Sequence, residues 1–283
     1  MSWDAEVTWP SGTTRLDKAL RTLEPSWGRS VVGEVIRTRR VRVNSRVVWM
    51  ASWQVERGDR IAVEGRVDAR PEGPIAFDPA WFVADDGDIV VVDKPSGLRS
   101  EAVRATDASA NLLTLARAAL GDDLVLAHRL DRDTSGLVMM TRPGPVRAAL
   151  DEMFSTHKIA KRYVALVRNT PLLLDAGRLT NFLAPDKTRR DAVVVVAKGG
   201  KKADTDYRVL TQTDLSARVE LHPLTGRTHQ LRVQCAHINA PILGDRLYGD
   251  AASADRLMLH AASLELPATS NRPARRFESP VPF

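Results

Sequence analysis

The hydrophobic pattern of the first 65 residues changes period partway along. Apolar residues recur at helical spacing over 16–23 and again over 29–37, so both stretches are predicted to be helices. From residue 41 the period falls to two. This predicts short strands at 41–43 and 61–63, with a turn at Asn44-Ser45 and a further pair of valines beyond it. The pattern is typical of a small α+β module.

The rest of the chain predicts more strands than helices. Strand patterns occupy 88–92, 124–127, 137–141, 163–167, 193–197, 205–210, 218–221 and 257–266. Helical patterns occupy 112–120, 146–155 and 228–237. Because the strands come in runs, the order favours an α+β fold over a regular βαβ repeat. We expect a large domain whose mixed, mostly antiparallel sheet is flanked by helices.

Length and local composition predict two domains. A chain of 283 residues corresponds to about two domains of ordinary size. Three prolines and a glycine fall between residues 67 and 82, where periodicity is weak, and this is typical of a linker arm. The predicted organisation is a module at 1–66, a linker at 67–82 and a large domain at 83–283.

Composition excludes several classes of protein and favours an anionic partner. Residues are 43% hydrophobic and 27% charged, as in folded globular proteins. The apolar runs are far shorter than the roughly 20 residues of a membrane span, and the N-terminus lacks a signal peptide pattern. A cytoplasmic monomer is therefore expected. The single cysteine, Cys235, excludes an internal disulfide and a cysteine-rich zinc site, and it is expected to be a buried apolar residue.

The positive charge is concentrated near the N-terminus. The net charge is +6, and residues 29–66 contribute +5 of it through nine arginines against four acids. A basic surface of this kind favours nucleic acid or another polyanion as partner.

One unusual segment lies between two apolar strands. It contains His128, Arg129, Asp131, Arg132 and Asp133 in six residues. Residues 133–136 (Asp-Thr-Ser-Gly) predict a turn in which Asp and Ser or Thr side chains cap backbone amides. That assigns Asp133 a structural role and leaves Asp131 without one. The alternative is an exposed, salt-bridged hairpin tip.

A second polar segment lies where a strand turns into a helix. Arg227, His229, Gln230 and Arg232 follow one another closely, and Thr228 is the predicted N-cap of the helix. Such a turn suits binding a phosphate or orienting a carboxylate. Lys94, at the end of an earlier strand, could contact phosphate in the same way. The alternative for this segment is an ordinary polar helix start.

The order of these segments matches a known family. His-Arg-Leu-Asp-Arg-Asp-Thr-Ser-Gly at 128–136 resembles the signature of the RluA family of RNA pseudouridine synthases. The other blocks follow in the family's order at 91–97, 161–166 (Lys-Arg-Tyr-Val-Ala-Leu), 199–203, 221–232, 241–249 and 259–262. Residues 14–64 resemble the small S-four-like RNA-binding module of many members. Together the resemblance covers about four-fifths of the chain.

The resemblance implies an activity and roles for particular residues. Members break the C1′–N1 bond of a uridine in RNA and rejoin C1′ to C5, without cofactor or metal. Asp131 matches the catalytic aspartate, which acts on the sugar as nucleophile or base; Tyr163 matches the tyrosine beside the base, and Arg232 the arginine that pairs with the aspartate. Arg129 matches the arginine that supports the flipped-out nucleotide. The further predicted RNA contacts are Lys94, Arg227, Arg37, Arg39, Arg40 and Arg42.

Two other functions remain open at this point. An inactive RNA-binding or ribosome-assembly protein could share the fold, although it would not need Asp131, Tyr163 and Arg232 together. A glycosidase or nucleosidase acting through Asp131 would want a second carboxylate in a comparable motif, and the sequence offers none. The expected substrate is ribosomal RNA, with transfer RNA as the alternative.

Overall fold

Most of the strands and helices that the hydrophobic pattern predicts are present in the structure. The computed structural model describes residues 7–25, 27, 29–65, 76–102, 110–189 and 191–283. These residues form two compact units that divide after residue 75. In the described part of the chain, no helix is long and apolar enough to cross a membrane.

The first unit combines two helices with short strands. Its elements are β1 (Val7–Thr8), β2 (Thr14–Arg15), α1 (Leu16–Leu23), α2 (Arg29–Arg37), β3 (Val41–Val43), β4 (Arg46–Val48), β5 (Gln54–Val55) and β6 (Arg60–Val63). Strands β1, β6, β3 and β4 form one sheet in that order, and β2 pairs with β5. Asn44 and Ser45 both adopt positive φ, 49° and 66°, which confirms the predicted turn between β3 and β4.

In its described residues, the second unit contains three α-helices and a large sheet. Its helices are α3 (Leu112–Leu120), α4 (Pro145–Ser155) and α5 (Gln230–His237). Its strands are β7 (Phe82–Asp85), β8 (Ile89–Lys94), β9 (Val125–Leu126), β10 (Ser135–Thr141), β11 (Ala160–Arg168), β12 (Ala176–Pro185), β13 (Val193–Val196), β14 (Lys201–Gln212), β15 (Ser216–Pro223), β16 (Leu259–Leu266) and β17 (Arg275–Glu278). Phe77 and Trp81 pack against the core of this unit, so residues 76–82 of the predicted linker belong to it, and 67–75 lie outside the described residues.

The large sheet is mixed and mostly antiparallel, as predicted. Nine strands follow the order β13-β12-β14-β15-β11-β16-β10-β8-β7, while β17 pairs with β16 and β9 with β10. Among the strand pairs described, β10 and β16 run parallel and the others antiparallel. The loop before β10 and the middle of β11 therefore approach each other across a single intervening strand.

Alternate residues of β8 enter different cores because side chains of a strand point to opposite faces. Val90 and Val92 pack with Leu112 of α3, whereas Ile89 and Val91 pack with Leu150 of α4. Helices thus cover both faces of this part of the sheet. Cys235 of α5 is 3% exposed in a third core cluster, as expected for an apolar residue.

The predicted turn at 133–136 is wrong in its details. The Asp133 carboxylate accepts two hydrogen bonds from the guanidinium of Arg132 instead of capping backbone amides. Ser135 and Gly136 already belong to β10. Gly136 does have the expected positive φ, 113°, but it lies within a strand and not in a turn.

Gly136 permits the close parallel contact of β10 with β16. A Cβ added at this position would lie 2.3 Å from the carbonyl oxygen of Ala261 and 2.5 Å from its nitrogen. Backbone atoms at the centre of a sheet cannot give way without breaking the pairing. The absence of a side chain is therefore a condition for bringing the two strands together.

We expect Gly136→Ala to destabilise the second unit by more than about 3 kcal/mol, because positive-φ strain and a backbone clash add. The matched control is Gly87→Ala, since Gly87 also has a positive φ, 92°, but open space around it. The control should lose about 1–2 kcal/mol. Urea-induced unfolding measures both changes, and equal losses would show that the close approach is not limiting.

Candidate active site

A cleft of about 610 Å³ brings together the three residues predicted to be catalytic. Asp131 comes from the loop before β10, Tyr163 from β11 and Arg232 from α5, and all three line the cleft. Arg129 and Arg227 line it as well. The cleft forms because the strand order places β10 and β11 on either side of β16.

Arg232 is buried, which excludes a helix-surface role. Its side chain is 8% exposed and forms two hydrogen bonds of 2.8 Å with Asp245, one from Nε and one from Nη2. Its Nη1 lies 3.4 Å from Oδ2 of Asp131. The sequence predicts the pairing of Arg232 with Asp131. It does not predict the pairing with Asp245, which has two hydrogen bonds and the shorter distances.

Asp245 is fixed from several directions. Its side chain is completely buried, and Oδ1 also accepts hydrogen bonds from the backbone nitrogens of Leu247 and Tyr248. Burial alone would raise the pKa of Asp245, but the bonds to Arg232 and these amides hold it below its usual value. Conversely, burial opposes the charge of Arg232, while Asp245 and then Asp131 raise its pKa above the ordinary range. Both groups stay charged.

This arrangement leaves the Asp131 carboxylate without a short hydrogen bond to Arg232. Its side chain is 28% exposed and makes one long contact with Arg232. Two further carboxylates lie near the site, but Asp245 is bonded to Arg232 and two backbone amides, and Glu101 is paired with Arg129 at 2.6 Å. Since a glycosidase needs two available carboxylates, these pairings disfavour that alternative.

The prediction that Lys94 contacts phosphate is wrong. Lys94 is fully buried, and its ammonium donates to the carbonyl oxygens of Pro95, Leu98 and Arg132 at 2.8–3.0 Å. Burial lowers its pKa to about 7, although the charges of Asp133 and Asp131 oppose the shift. Lys94 therefore joins the turn at 95–98 to the loop that carries Asp131.

Two serines strengthen the same connection. Ser96 donates to the carbonyl oxygen of Asp133 at 2.6 Å. Ser100 exchanges two hydrogen bonds with the backbone of Leu130, at 2.9 and 3.1 Å. The loop is thus held on both sides of Asp131, while the side chain of Asp131 remains in the cleft.

The segment before α5 differs from the predicted N-cap. The helix begins at Gln230, and the residue before it is His229 in the left-handed conformation, with φ of 52°. Thr228 is therefore not the cap. The left-handed backbone at His229 turns the chain between Arg227 and α5, and His229 joins Arg227 in the cleft wall.

His229 is held against Tyr248 at one ring nitrogen and faces Asp131 with the other. The Tyr248 hydroxyl oxygen accepts the N–H of Val193 at 2.8 Å and shares a hydrogen bond with Nδ1 of His229, 2.9 Å away. The other ring nitrogen, Nε2, lies 3.8 Å from Oδ2 of Asp131. Burial lowers the pKa of His229 below its ordinary value. The sequence indicates His229 only as one of the donors in the turn at 227–232, and it gives Tyr248 no role.

Tyr163 cannot act as a phenolate. Burial first, and the charge of Asp131 second, raise its pKa well above the ordinary value of about 10. The phenol is protonated at neutral pH. It can contact a base or pass on a proton only in a concerted step.

The other arginines predicted to contact RNA lie in two places, some at the cleft and some in the first unit. Arg129 is 68% exposed at the cleft and paired with Glu101 at 2.6 Å, whereas Arg227 donates to the carbonyl oxygen of Lys202 at 3.0 Å. In the first unit, Arg39 lies over the Trp49 ring, 5.4 Å from its centroid. Arg40 donates to the carbonyl oxygen of Glu64 and Arg42 pairs with its carboxylate. Arg37 ends α2, and its side chain lies outside the described residues.

The comparisons with known proteins identify the family of the chain. Residues 88–237, more than half the chain, match the family model described as RNA pseudouridylate synthase. Ribosomal large subunit pseudouridine synthase D of Yersinia pestis is 32% identical over 239 residues, covering 83% of this chain and 73% of that protein. The protein of the same name from Salmonella typhimurium is 30% identical over 287 residues, covering 95% and 87%.

Solved structures agree as well. Human RNA Pseudouridylate Synthase Domain Containing 1 superposes with a TM-score of 0.64 at 26% identity, over 75% of this chain and 87% of that one. The fold and the matched model define the class: the chain is an RNA pseudouridine synthase. Within that class it belongs to the RluA family, as its signature at 128–136 indicates, and it converts uridine in RNA to pseudouridine.

We expect Asp245→Asn to lower stability by about 3 kcal/mol, because it removes one charge of a buried pair and leaves Arg232 undercompensated. Turnover should fall about 10- to 100-fold as Arg232 loses its orientation, by analogy with outer-shell partners at metal sites.

The matched control is Asp206→Asn, which breaks an exposed pair of the same two-pronged geometry with Arg178. Its cost should stay below about 1 kcal/mol. Thermal unfolding and single-turnover rates measure both variants. A D245N enzyme as stable and active as D206N would contradict the role given to Asp245.

Proposed function

We propose that this enzyme isomerises uridines of ribosomal RNA, with Asp131 acting on the ribose, Tyr163 beside the base and Arg232 orienting the aspartate. The observation that carries the assignment is the Asp131 carboxylate, partly exposed in the cleft and held at 3.4 Å by a buried arginine. The names of the relatives, which are synthases of the large ribosomal subunit, favour ribosomal RNA over transfer RNA.

The chemistry requires a carboxylate that can approach C1′. In the proposed reaction the C1′–N1 bond breaks, the base turns, and C5 bonds to C1′. The C5 proton is then lost while N1 gains one, so the atoms balance without any co-reactant. Asp131 acts on the sugar as nucleophile or base. Its long contact with Arg232 lets it move toward the substrate without leaving a buried charge unpaired, because Asp245 keeps its bonds to Arg232.

Tyr163 is suited to a role beside the base. Since its phenol is protonated at neutral pH, it can stack on the uracil or accept the C5 proton only as its own proton leaves. Arg129, at the rim of the cleft, has the exposure needed to support a flipped-out nucleotide. Neither role would be needed by an inactive RNA-binding protein.

We further propose that the first unit binds RNA. Support comes from its charge and from two arginine–tryptophan contacts, Arg39 over Trp49 at 5.4 Å and Arg46 over Trp53 at 5.3 Å. Trp49 is 55% exposed. Exposed aromatic rings beside arginines are typical of surfaces on which unpaired bases stack.

Asp131→Asn should reduce pseudouridine formation below about 1% of wild type, because the amide cannot act on the sugar, and leave RNA affinity within a few fold. The control is Asp133→Asn, two residues away and paired with Arg132, which should retain most of its activity. Pseudouridines mapped in total RNA from cells carrying each variant give the readout and identify the RNA. Residual formation by D131N above that level would contradict the assignment.

Deleting residues 1–75 should weaken RNA binding and flatten its dependence on salt. Each lost phosphate contact lowers the slope of log K against log salt by about 0.7–0.9. Filter binding between 50 and 300 mM salt measures the slopes of both proteins. An unchanged slope would mean that the first unit does not anchor the RNA.

A further inference from the structure

The cleft has far more positive than negative charge. Six arginine and lysine side chains line it: Arg99, Arg129, Arg132, Lys161, Arg227 and Arg232. Its two carboxylates are Glu101 and Asp131. The second unit as a whole, residues 76–283, has a net charge of only +3. The excess of cations over carboxylates in the wall of the cleft is large enough to account for all of it.

Most of these cations already have partners within the protein. Arg129 pairs with Glu101, Arg132 with Asp133, and Arg232 with Asp245. Lys161 differs from them. Within the described part of the chain, its ammonium forms no hydrogen bond or ion pair, although the side chain is only partly exposed.

The surroundings of Lys161 are polar and positively charged. Its Nζ lies 3.7 Å from where a Cβ of Gly226 would stand, beneath the turn that carries Arg227. His157 lines the same part of the cleft. Burial first, and the charges of Lys161 and Arg227 after it, lower the pKa of His157. Burial likewise lowers the pKa of Lys161, so an anion bound here would relieve the cost of holding an unpaired ammonium.

The position of Lys161 on β11 determines which anion it can contact. Lys161 and Tyr163 are two residues apart on one strand and both face the cleft, so they stand about 7 Å apart. A similar distance separates the sugar and base of a nucleotide from its flanking phosphates. When the ribose lies at Asp131 and the base at Tyr163, a phosphate of the same nucleotide or of its neighbour comes within reach of Lys161.

We infer that Lys161, together with Arg227, forms a subsite for a phosphodiester next to the uridine that is isomerised. The inference rests on the proposed function, because it places the reacting nucleotide at Asp131. In this subsite Lys161 binds substrate and takes no part in bond breaking. Its removal should therefore affect binding and leave the chemical step intact.

The test uses the full-length enzyme and an unmodified transcript of large-subunit ribosomal RNA, tritiated at C5 of uridine. Tritium enters water once for each pseudouridine formed, since C5 exchanges its hydrogen for C1′. Lys161→Gln should raise KM about tenfold, as expected for one charged hydrogen bond, with kcat within twofold of wild type. The salt slope of binding should fall by about one phosphate contact. Lys161→Arg should restore both.

The control is Lys158→Gln, three residues away, outside the cleft and 3.8 Å from Glu152. A similar rise in KM for K158Q would show that the attraction is diffuse and would overturn the subsite. So would a K161Q enzyme whose salt slope is unchanged, or one in which only kcat falls. Equilibrium binding of the same transcript separates the two proposals. If wild type binds without turnover, the proposed function fails, and the salt slopes still decide the role of Lys161.

Discussion

The buried guanidinium of Arg232 is the interaction on which the site depends. An arginine that is 6% exposed is stable only where carboxylates compensate its charge. Asp245 supplies most of that compensation through two short bonds, and Asp131 the rest through a longer one. One side chain thus joins α5, the turn at 245–248 and the loop before β10. Because Asp245 compensates most of the charge of Arg232, Asp131 can remain partly exposed, as its proposed role at the ribose requires.

A second buried cation performs a different task. Among the described residues, Lys94 has three carbonyl oxygens as partners and no carboxylate, so it fixes the path of the backbone without drawing Asp131 toward itself. Ser96 and Ser100 add bonds to the same loop. Arg232 orients the Asp131 side chain while Lys94 positions its backbone. This division matters because the proposed reaction needs an aspartate whose backbone is fixed and whose carboxylate can move.

Sequence periodicity predicts the strands whose faces are both buried or cleanly alternating, such as β8, β10 and β11. It misses β12, where only two of ten residues are buried and no alternation is visible. It also gives α5 the wrong start, because that helix packs through the amides of Gln230 and Gln234, which bond to backbone carbonyls of neighbouring strands. Asp131, Tyr163 and Arg232 lie in recognisable blocks. The burial of Lys94 and the partnership with Asp245 depend on residues 38 and 13 positions away, which no local pattern reveals.

The distribution of charge suggests how a weakly charged domain can select a polyanion. Residues 76–283 carry a net charge of only +3, so attraction at distances beyond the Debye length of about 8 Å is weak there. Within the cleft, however, the excess of cations over carboxylates acts at contact distance, where solvent screening is least. Residues 29–66 of the proposed RNA-binding unit, with a net charge of +5, would add long-range attraction. Lys161, whose ammonium has no partner among the described residues, can then respond to where a phosphate lies. This favours a nucleotide that has left its stack and entered the cleft over one that remains outside.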